Sequence, residues 1–212
     1  MQKYLTEFLG SFSWILLIGM IAAAQFGDLT ILITGLGYLG LLYLGSRTSG
    51  SHYNPAITLA VWLTGRITAK EAGIYMLIQL VAGILAAGLV KVLALDQSFQ
   101  FAYHPAGAAS LVQVLVMEAV FMAILAGVFV QTTLDSQIFP STSMPWAVAG
   151  TWVAITYASA SISGGVFNPI LGIGANLWAQ SFADMWIYAV GPLVGAGLVG
   201  LGFLLGKRYL RY

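Results

Sequence analysis

Two short apolar segments, each opened by Asn-Pro and each too short to cross a bilayer, constrain this chain more than any other feature. The first is NPAITLAVWLTG at 54–65 and the second is NPILGIGANLWA at 168–179. Each follows Ser-Gly, two variable residues and an aromatic: SGSHYNPAI at 49–57 and SGGVFNPIL at 163–171. Apolar runs of about 10–14 residues suit re-entrant half-helices rather than spans. Pro55 and Pro169 suit a first helical turn, where a missing N–H is no loss. Asn54 and Asn168, just before them, are strong N-caps.

Six longer apolar stretches surround these segments, at approximately 5–24, 30–46, 70–94, 110–132, 145–160 and 184–206. Each approaches the ~20 residues that a spanning helix needs. Charge is scarce: 7% of the 212 residues are charged, against roughly 25% in a soluble domain. The mean hydropathy is +0.91. A soluble fold of this size needs a charged surface that this chain cannot supply, so the class is an all-α integral membrane protein. A net charge of +1 offers no basic face for nucleic acid. There is no Cys, and neither His52 nor His104 has a second ligand at metal spacing, so no metal site and no cofactor are expected. The first stretch, ending in IAAAQ, superficially fits a signal peptide. Glu7 at the edge of its apolar core argues for a span instead.

The halves repeat. Glu7 in TEFLGSFSWILL and Glu118 in MEAVFMAILAGV stand 111 residues apart, and Asn54 and Asn168 stand 114 apart. Within one domain over 1–212, each half (approximately 1–95 and 110–212, linked by 95–109) reads as two spans, a half-helix and a third span. An odd number of spans per half makes the second half enter the membrane inverted. Inverted repeats with paired interrupted segments mark a transport site near the midplane. Seven basic residues, Lys3, Arg47, Arg66, Lys70, Lys207, Arg208 and Arg211, fall on the side that holds both termini, and Lys91 falls opposite. The positive-inside rule makes the termini cytoplasmic. Short termini fit a bacterial inner membrane.

Half-helices entering from opposite sides meet tip to tip at mid-membrane. Irregular backbone is tolerated there only when buried in protein or lining a wet cavity. Free N–H groups and partial positive charge gather at the two ends. Each Asn amide caps its helix and keeps N–H donors for a lumen. Water oriented between such donors breaks a continuous proton wire, and the positive ends disfavour cations.

These residues resemble the aquaporin–glyceroporin family, the major intrinsic proteins. The likeness covers nearly the whole chain: both Asn-Pro elements, the Glu of the first and fourth spans, and their spacing. It implies the aquaporin fold, with six transmembrane helices and two re-entrant half-helices in two inverted repeats. It also implies a homotetramer in the lipid bilayer, one pore per subunit, and passive flow of water or small neutral solutes. Asn54-Pro55-Ala56 and Asn168-Pro169-Ile170 take the places of the two pore motifs. His52 takes the place of a pore-lining His on the cytoplasmic side. Glu7 and Glu118 read as supports for the Asn-Pro loops rather than proton carriers. His104 reads as solvated. Arg47 ties down its loop or shapes the cytoplasmic mouth.

One departure bears on selectivity. The family usually has an Arg right after the second triplet, one of four residues in an external filter; here Leu171 follows. Counting from the Asn-Pro elements by the family's spacing makes the filter Thr34, Thr156, Gly165 and Leu171. No Lys or Arg occurs between Lys91 and Lys207 to replace the missing one. The opening is therefore expected to be wider and less polar, with Ile170 adding bulk near the midplane. The readings left open are a channel for water and neutral solutes such as glycerol, urea or metalloid hydroxides; a water channel constricted at Ile170; an ion-leaky pore; an ion-coupled secondary transporter; and a nonconducting packing protein. An enzyme is not expected, because the spans carry no acid–base or nucleophile set beyond the two acids.

Overall fold

The structure, a computed structural model, describes residues 1–96, 98–134 and 142–210. Arg211, and residues 135–141 of the linker after the fourth apolar stretch, lie outside them. The described residues are helical with irregular connections: α1 (Gln2–Ala23), a 3₁₀ turn (Gly27–Leu29), α2 (Thr30–Gly45), α3 (Pro55–Leu63), α4 (Ala69–Leu93), α5 (Leu111–Leu134), α6 (Ser143–Ser159), α7 (Pro169–Trp178) and α8 (Ile187–Leu210). The six long helices stand on the six long apolar stretches, and α3 and α7 are the two half-helices. Among the described residues, five segments are long and apolar enough to cross a membrane: α1, α2 with its 3₁₀ turn, α4, α5 and α8. The sixth, α6, has 17 residues, the lower end of the spanning range of about 17–25. It packs beside α2, its counterpart in the first half. Tyr43 Oη donates to the Thr142 carbonyl at 2.8 Å and Tyr157 Oη to the Asp28 carbonyl at 2.5 Å, which ties this pair at both ends.

Side-chain caps start two of the long helices. Thr68 Oγ1 accepts from Glu71 N at 3.2 Å before α4. Before α5, Ser110 Oγ accepts from Gln113 N at 3.3 Å while Gln113 Oε1 accepts from Ser110 N at 2.8 Å, a reciprocal capping box. Lys91, at the end of α4, donates to the Trp178 carbonyl at the end of α7 at 3.1 Å. Lys3 pairs with Glu71 at 2.6 Å, joining the starts of α1 and α4.

The halves interlock. α1 packs on α4 and α5 on α8, but each half-helix packs most on a long helix of the other half: α3 on α8 and α7 on α4. Small residues allow the close approach. A Cβ on Gly195 of α8 would run into the Ala119 carbonyl of α5, and one on Gly174 of α7 would stand 2.9 Å from the Gly83 carbonyl oxygen of α4. Outward, the long helices present bulky apolar side chains such as Leu36, Leu85, Val116 and Leu198, each more than half exposed. Lipid, or another subunit, is the solvent that such a surface fits.

Candidate functional site

The two Asn-Pro elements meet across the interface between the halves. Each Asn stands in extended backbone, Asn54 at φ −157° and Asn168 at φ −144°, and caps the half-helix that follows. Asn54 Oδ1 accepts from Ala56 N at 2.8 Å, and Asn168 Oδ1 from Ile170 N at 3.2 Å. The amide nitrogens cross over. Asn54 Nδ2 donates to the Phe167 carbonyl at 2.8 Å, and Asn168 Nδ2 to the Tyr53 carbonyl at 3.1 Å. Each amide carries two N–H groups, so one remains outside this brace. Both side chains are nearly but not fully buried, at 4% and 3% exposure.

The loops before them repeat one backbone course. Gly50, Ser51 and Tyr53 have φ of +90°, +54° and +47°; Gly164, Gly165 and Phe167 have +83°, +68° and +45°. The left-handed non-glycine residues are strained by about 1–3 kcal/mol each and persist only where the surroundings hold them. A buried carboxylate supplies that hold in each half. Glu7 Oε1 accepts from Ser49 Oγ at 2.6 Å and His52 N at 3.0 Å; its Oε2 accepts from Tyr53 N and Gln79 Nε2, both at 2.8 Å. Glu118 Oε1 accepts from Val166 N at 3.1 Å and Oε2 from Phe167 N at 2.7 Å. Gln79 has no place in the sequence reading. Its only signal was an uncharged amide inside the apolar run LIQLV. It also donates to Thr58 Oγ1 at 3.0 Å, and Thr58 Oγ1 lies 3.1 Å from His52 Nδ1. The His52 ring sits edge-on to Tyr75 and Phe129, with centroids at 5.3 and 5.6 Å. Where the Thr58 hydroxyl donates to the Asn54 carbonyl, 3.1 Å away, it accepts from Nδ1–H and leaves Nε2 as an acceptor.

On the far side of the Asn pair, Thr34, Thr156, Gly165 and Leu171 border one cavity of about 110 Å³. That exceeds the ~30 Å³ a water molecule takes in the liquid. The four come from α2, α6, the second loop and α7. Thr34 Oγ1 turns back to the Thr30 carbonyl at 2.7 Å. The Thr156 hydroxyl has no hydrogen-bond partner among the described residues. Gly165 is required twice over: its φ is positive, and a Cβ there would stand 2.8 Å from Thr156 Cγ2. Trp152 and Tyr103 also border the cavity, and among the described residues no charged one does.

A family model described as Major intrinsic protein matches residues 1–203. The chain belongs to the major intrinsic protein family. It is 33% identical over 227 residues to Aquaporin Z of Photorhabdus laumondii, covering 95% of each chain. It is 34% identical over 157 residues to Aquaporin TIP4-4 of Zea mays, covering 74% of this chain and 62% of that one. The aquaglyceroporin of Plasmodium falciparum superposes with a TM-score of 0.83 at 20% identity, over 99% of this chain and 96% of that one, a likeness of fold. Major intrinsic proteins are channels and not enzymes. This integral membrane protein is accordingly a passive channel for water or small solutes.

Within this family fold, one expected feature lies elsewhere. Ile170 was expected to thicken the wall at the midplane, but its side chain is fully buried against α4. There Gly83 leaves room: a Cβ on Gly83 would stand 3.0 Å from Ile170 Cβ and 3.4 Å from Cδ1. The extra bulk of Ile over Ala is taken up by helix packing. Ala56, its counterpart, is equally buried. Arg47 borders an open hollow with Met1, Gln2, Lys3 and Thr48 at the start of α1. Its neighbour in charge, Arg66, donates to the Thr133 hydroxyl at 2.8 Å and to the Thr133 carbonyl at the end of α5. His104 is exposed, with its ring nitrogens 3.4 Å from Ser181 Oγ.

Proposed function

We propose that this protein is a passive channel for water and small neutral solutes whose external constriction is the uncharged ring of Thr34, Thr156, Gly165 and Leu171. The observation that carries the reading is the cavity shared by these four residues, drawn from four segments and bordered by no charge among the described residues. An Arg at position 171 would project a fixed cation and five donors into it; Leu171 offers neither. The ring therefore suits solutes that present both apolar and hydroxyl or amide faces, such as glycerol, urea or undissociated metalloid hydroxides. The lone Thr156 hydroxyl supports this reading, because a buried hydroxyl without a partner costs about 1–3 kcal/mol that a passing polar solute relieves.

Further in, the crossed Asn54 and Asn168 amides and the two half-helix ends disfavour cations in place of the Arg. His52 lines the cytoplasmic half. Glu7 and Glu118 act as loop anchors: their oxygens are taken by loop donors, which leaves proton coupling without a free carboxylate. The packing of Ile170 against Gly83 weighs against a water-only pore constricted at that residue. The chain assembles as a homotetramer with a pore in each subunit. It sits in a bacterial inner membrane with both termini cytoplasmic. Lys3 beside Glu71 at one end of the bundle and Lys91 alone at the other support that orientation.

Purified protein in liposomes tests the reading. Light scattering after a sucrose shock reports water flow, and glycerol and urea gradients report solute entry. Faster water and solute flow than in empty liposomes, without conductance in planar bilayers, is expected. Water flow without solute entry would show that the ring is narrow. Conductance would show that the helix ends do not replace the Arg. No enhanced flux of any kind would sink the channel reading.

A further inference from the structure

We infer that a pocket at the end of α4 holds the headgroup of a zwitterionic phospholipid with a primary amine, phosphatidylethanolamine. The site lies apart from the pore cavity and does not depend on which solutes the channel passes. Lys3 and Glu71 join the starts of α1 and α4, so the end of α4 lies on the opposite face of the bundle. The pocket there has about 60 Å³ and is bordered by Lys91, Asp96, Phe99, Gln100, Phe101 and Trp178. That is room for about two waters of ~30 Å³ each, enough for a small charged group. A cation and an anion share this space without pairing: among the described residues the one salt bridge is Lys3 with Glu71. Lys91 Nζ donates once, to the Trp178 carbonyl at 3.1 Å, out of three N–H donors. Asp96 Oδ1 accepts from Ser98 N at 2.8 Å and from Ser98 Oγ at 2.6 Å, and Oδ2 accepts from none of the described residues. The Ser98 hydroxyl and N–H hold the Asp96 carboxyl below the usual carboxylate range, so it is charged at neutral pH. Two opposite charges held apart on one wall fit a ligand that itself carries both signs.

The surroundings make that ligand a lipid. Leu77, Val81, Leu85 and Val92 form an apolar stripe along α4 at helical spacing, each 45% to 73% exposed, and the stripe ends beside Lys91. An acyl chain fits along it; a soluble zwitterion has no use for it. Trp178 Nε1 donates to the Ile84 carbonyl at 2.8 Å, which holds the indole against α4 while it stays 42% exposed. That is the setting of a tryptophan at a membrane interface. Phe99 and Phe101 stack with centroids 6.5 Å apart, and aromatic faces attract an ammonium. Lys91, in the last turn of α4 and next to the stripe, takes the phosphate. Asp96, beyond the helix end, takes the amine. A primary amine donates charge-assisted hydrogen bonds to a carboxylate. A quaternary ammonium has no N–H to give, and it is the larger cation for a pocket of this size.

Native mass spectrometry of the detergent-purified protein reads lipid retention and oligomeric state together. With dioleoyl phosphatidylethanolamine, phosphatidylcholine and phosphatidylglycerol added in equal amounts, the ethanolamine lipid is expected to be retained several-fold better than either other. Lys91→Ala and Asp96→Asn are each expected to remove that preference, Asp96→Asn by making phosphatidylglycerol an equal ligand. Lys70→Ala, at the other end of α4, is expected to keep it. Equal retention of the three lipids by the native protein, a preference for phosphatidylglycerol, or a preference that survives both substitutions overturns the proposal. Phosphoethanolamine without acyl chains is expected to compete poorly. Equal competition, mole for mole, would make the pocket a site for a soluble zwitterion and overturns the lipid assignment. Loss of the oligomer rather than of lipid in the two variants would mean that another subunit fills the pocket, and also overturns it. If Lys91→Ala does not fold, Asp96→Asn, a change on an exposed side chain, decides alone.

Discussion

Glu118→Gln separates a loop anchor from a proton carrier. In the native protein the carboxylate accepts from Val166 N at 3.1 Å and from Phe167 N at 2.7 Å, and all three residues are fully buried. Glutamine keeps one acceptor oxygen and turns an NH₂ group toward the other backbone N–H. One buried donor is orphaned, which costs about 1–3 kcal/mol. The surviving bond loses its charge assistance and about half its strength. Together these give roughly 2–4 kcal/mol. At about 2–4 °C per kcal/mol for a chain of this length, Tm drops by roughly 4–16 °C. Thermal unfolding in detergent reads that drop. Osmotic flux per folded protein reads the channel, with and without a pH gradient. The expected outcome is a less stable protein whose remaining flux is indifferent to the gradient. Unchanged stability combined with loss of a pH-driven flux would refute the anchor reasoning and make Glu118 part of a transport cycle.

Other outcomes follow from single contacts. Leu171→Arg places a cation and five donors in the cavity and is expected to lower glycerol flux several-fold more than water flux; unchanged glycerol entry would show that residue 171 is off the path. Gly83→Ala presses a Cβ to 3.0 Å from Ile170 Cβ and is expected to destabilise by about 1–3 kcal/mol. In the Ile170→Ala background the contacts with Cβ at 3.0 Å and with the carbonyl oxygen at 3.3 Å remain and only that with Cδ1 at 3.4 Å is lost, so most of the cost is expected to persist; a cost that vanished there would mean that Cδ1 sets it. Thr68→Ala removes the acceptor for Glu71 N and is expected to lower stability by about 1 kcal/mol; an unchanged thermal midpoint would count against that cap.

The spans were legible because bilayer solvation acts on composition alone. A run such as LVQVLVMEAVFMAILAGV is apolar whatever packs against it. The half-helices were legible because Asn-Pro and run length are local as well. Thr34 and Thr156, which border the cavity, were reached by counting back from Asn54 and Asn168 with the spacing of the resembled family, not from any property of the two residues themselves. Gln79 could not be found this way. It reaches Glu7 from a residue 72 positions away, and nothing local distinguishes an amide that grips a carboxylate from one that only tolerates burial. The direction of Ile170 was hidden for the same reason. Whether added bulk enters a lumen or a helix contact depends on a glycine in another element, and the bulk went to Gly83.

The sequence by itself determined that this chain lives in a membrane, that its halves are inverted copies, and that Leu171 rather than a positive side chain directly follows the second Asn-Pro triplet. Those properties follow from hydrophobicity, odd span count and residue identity, which are independent of contacts. Only the tertiary structure decided that the two Asn amides brace each other's loops, that Asn176 holds Tyr103 beside the second loop, and that Thr34, Thr156, Gly165 and Leu171 border one cavity. Each of these joins groups far apart in the chain, through hydrogen bonds and close packing that exist only once the halves have interlocked.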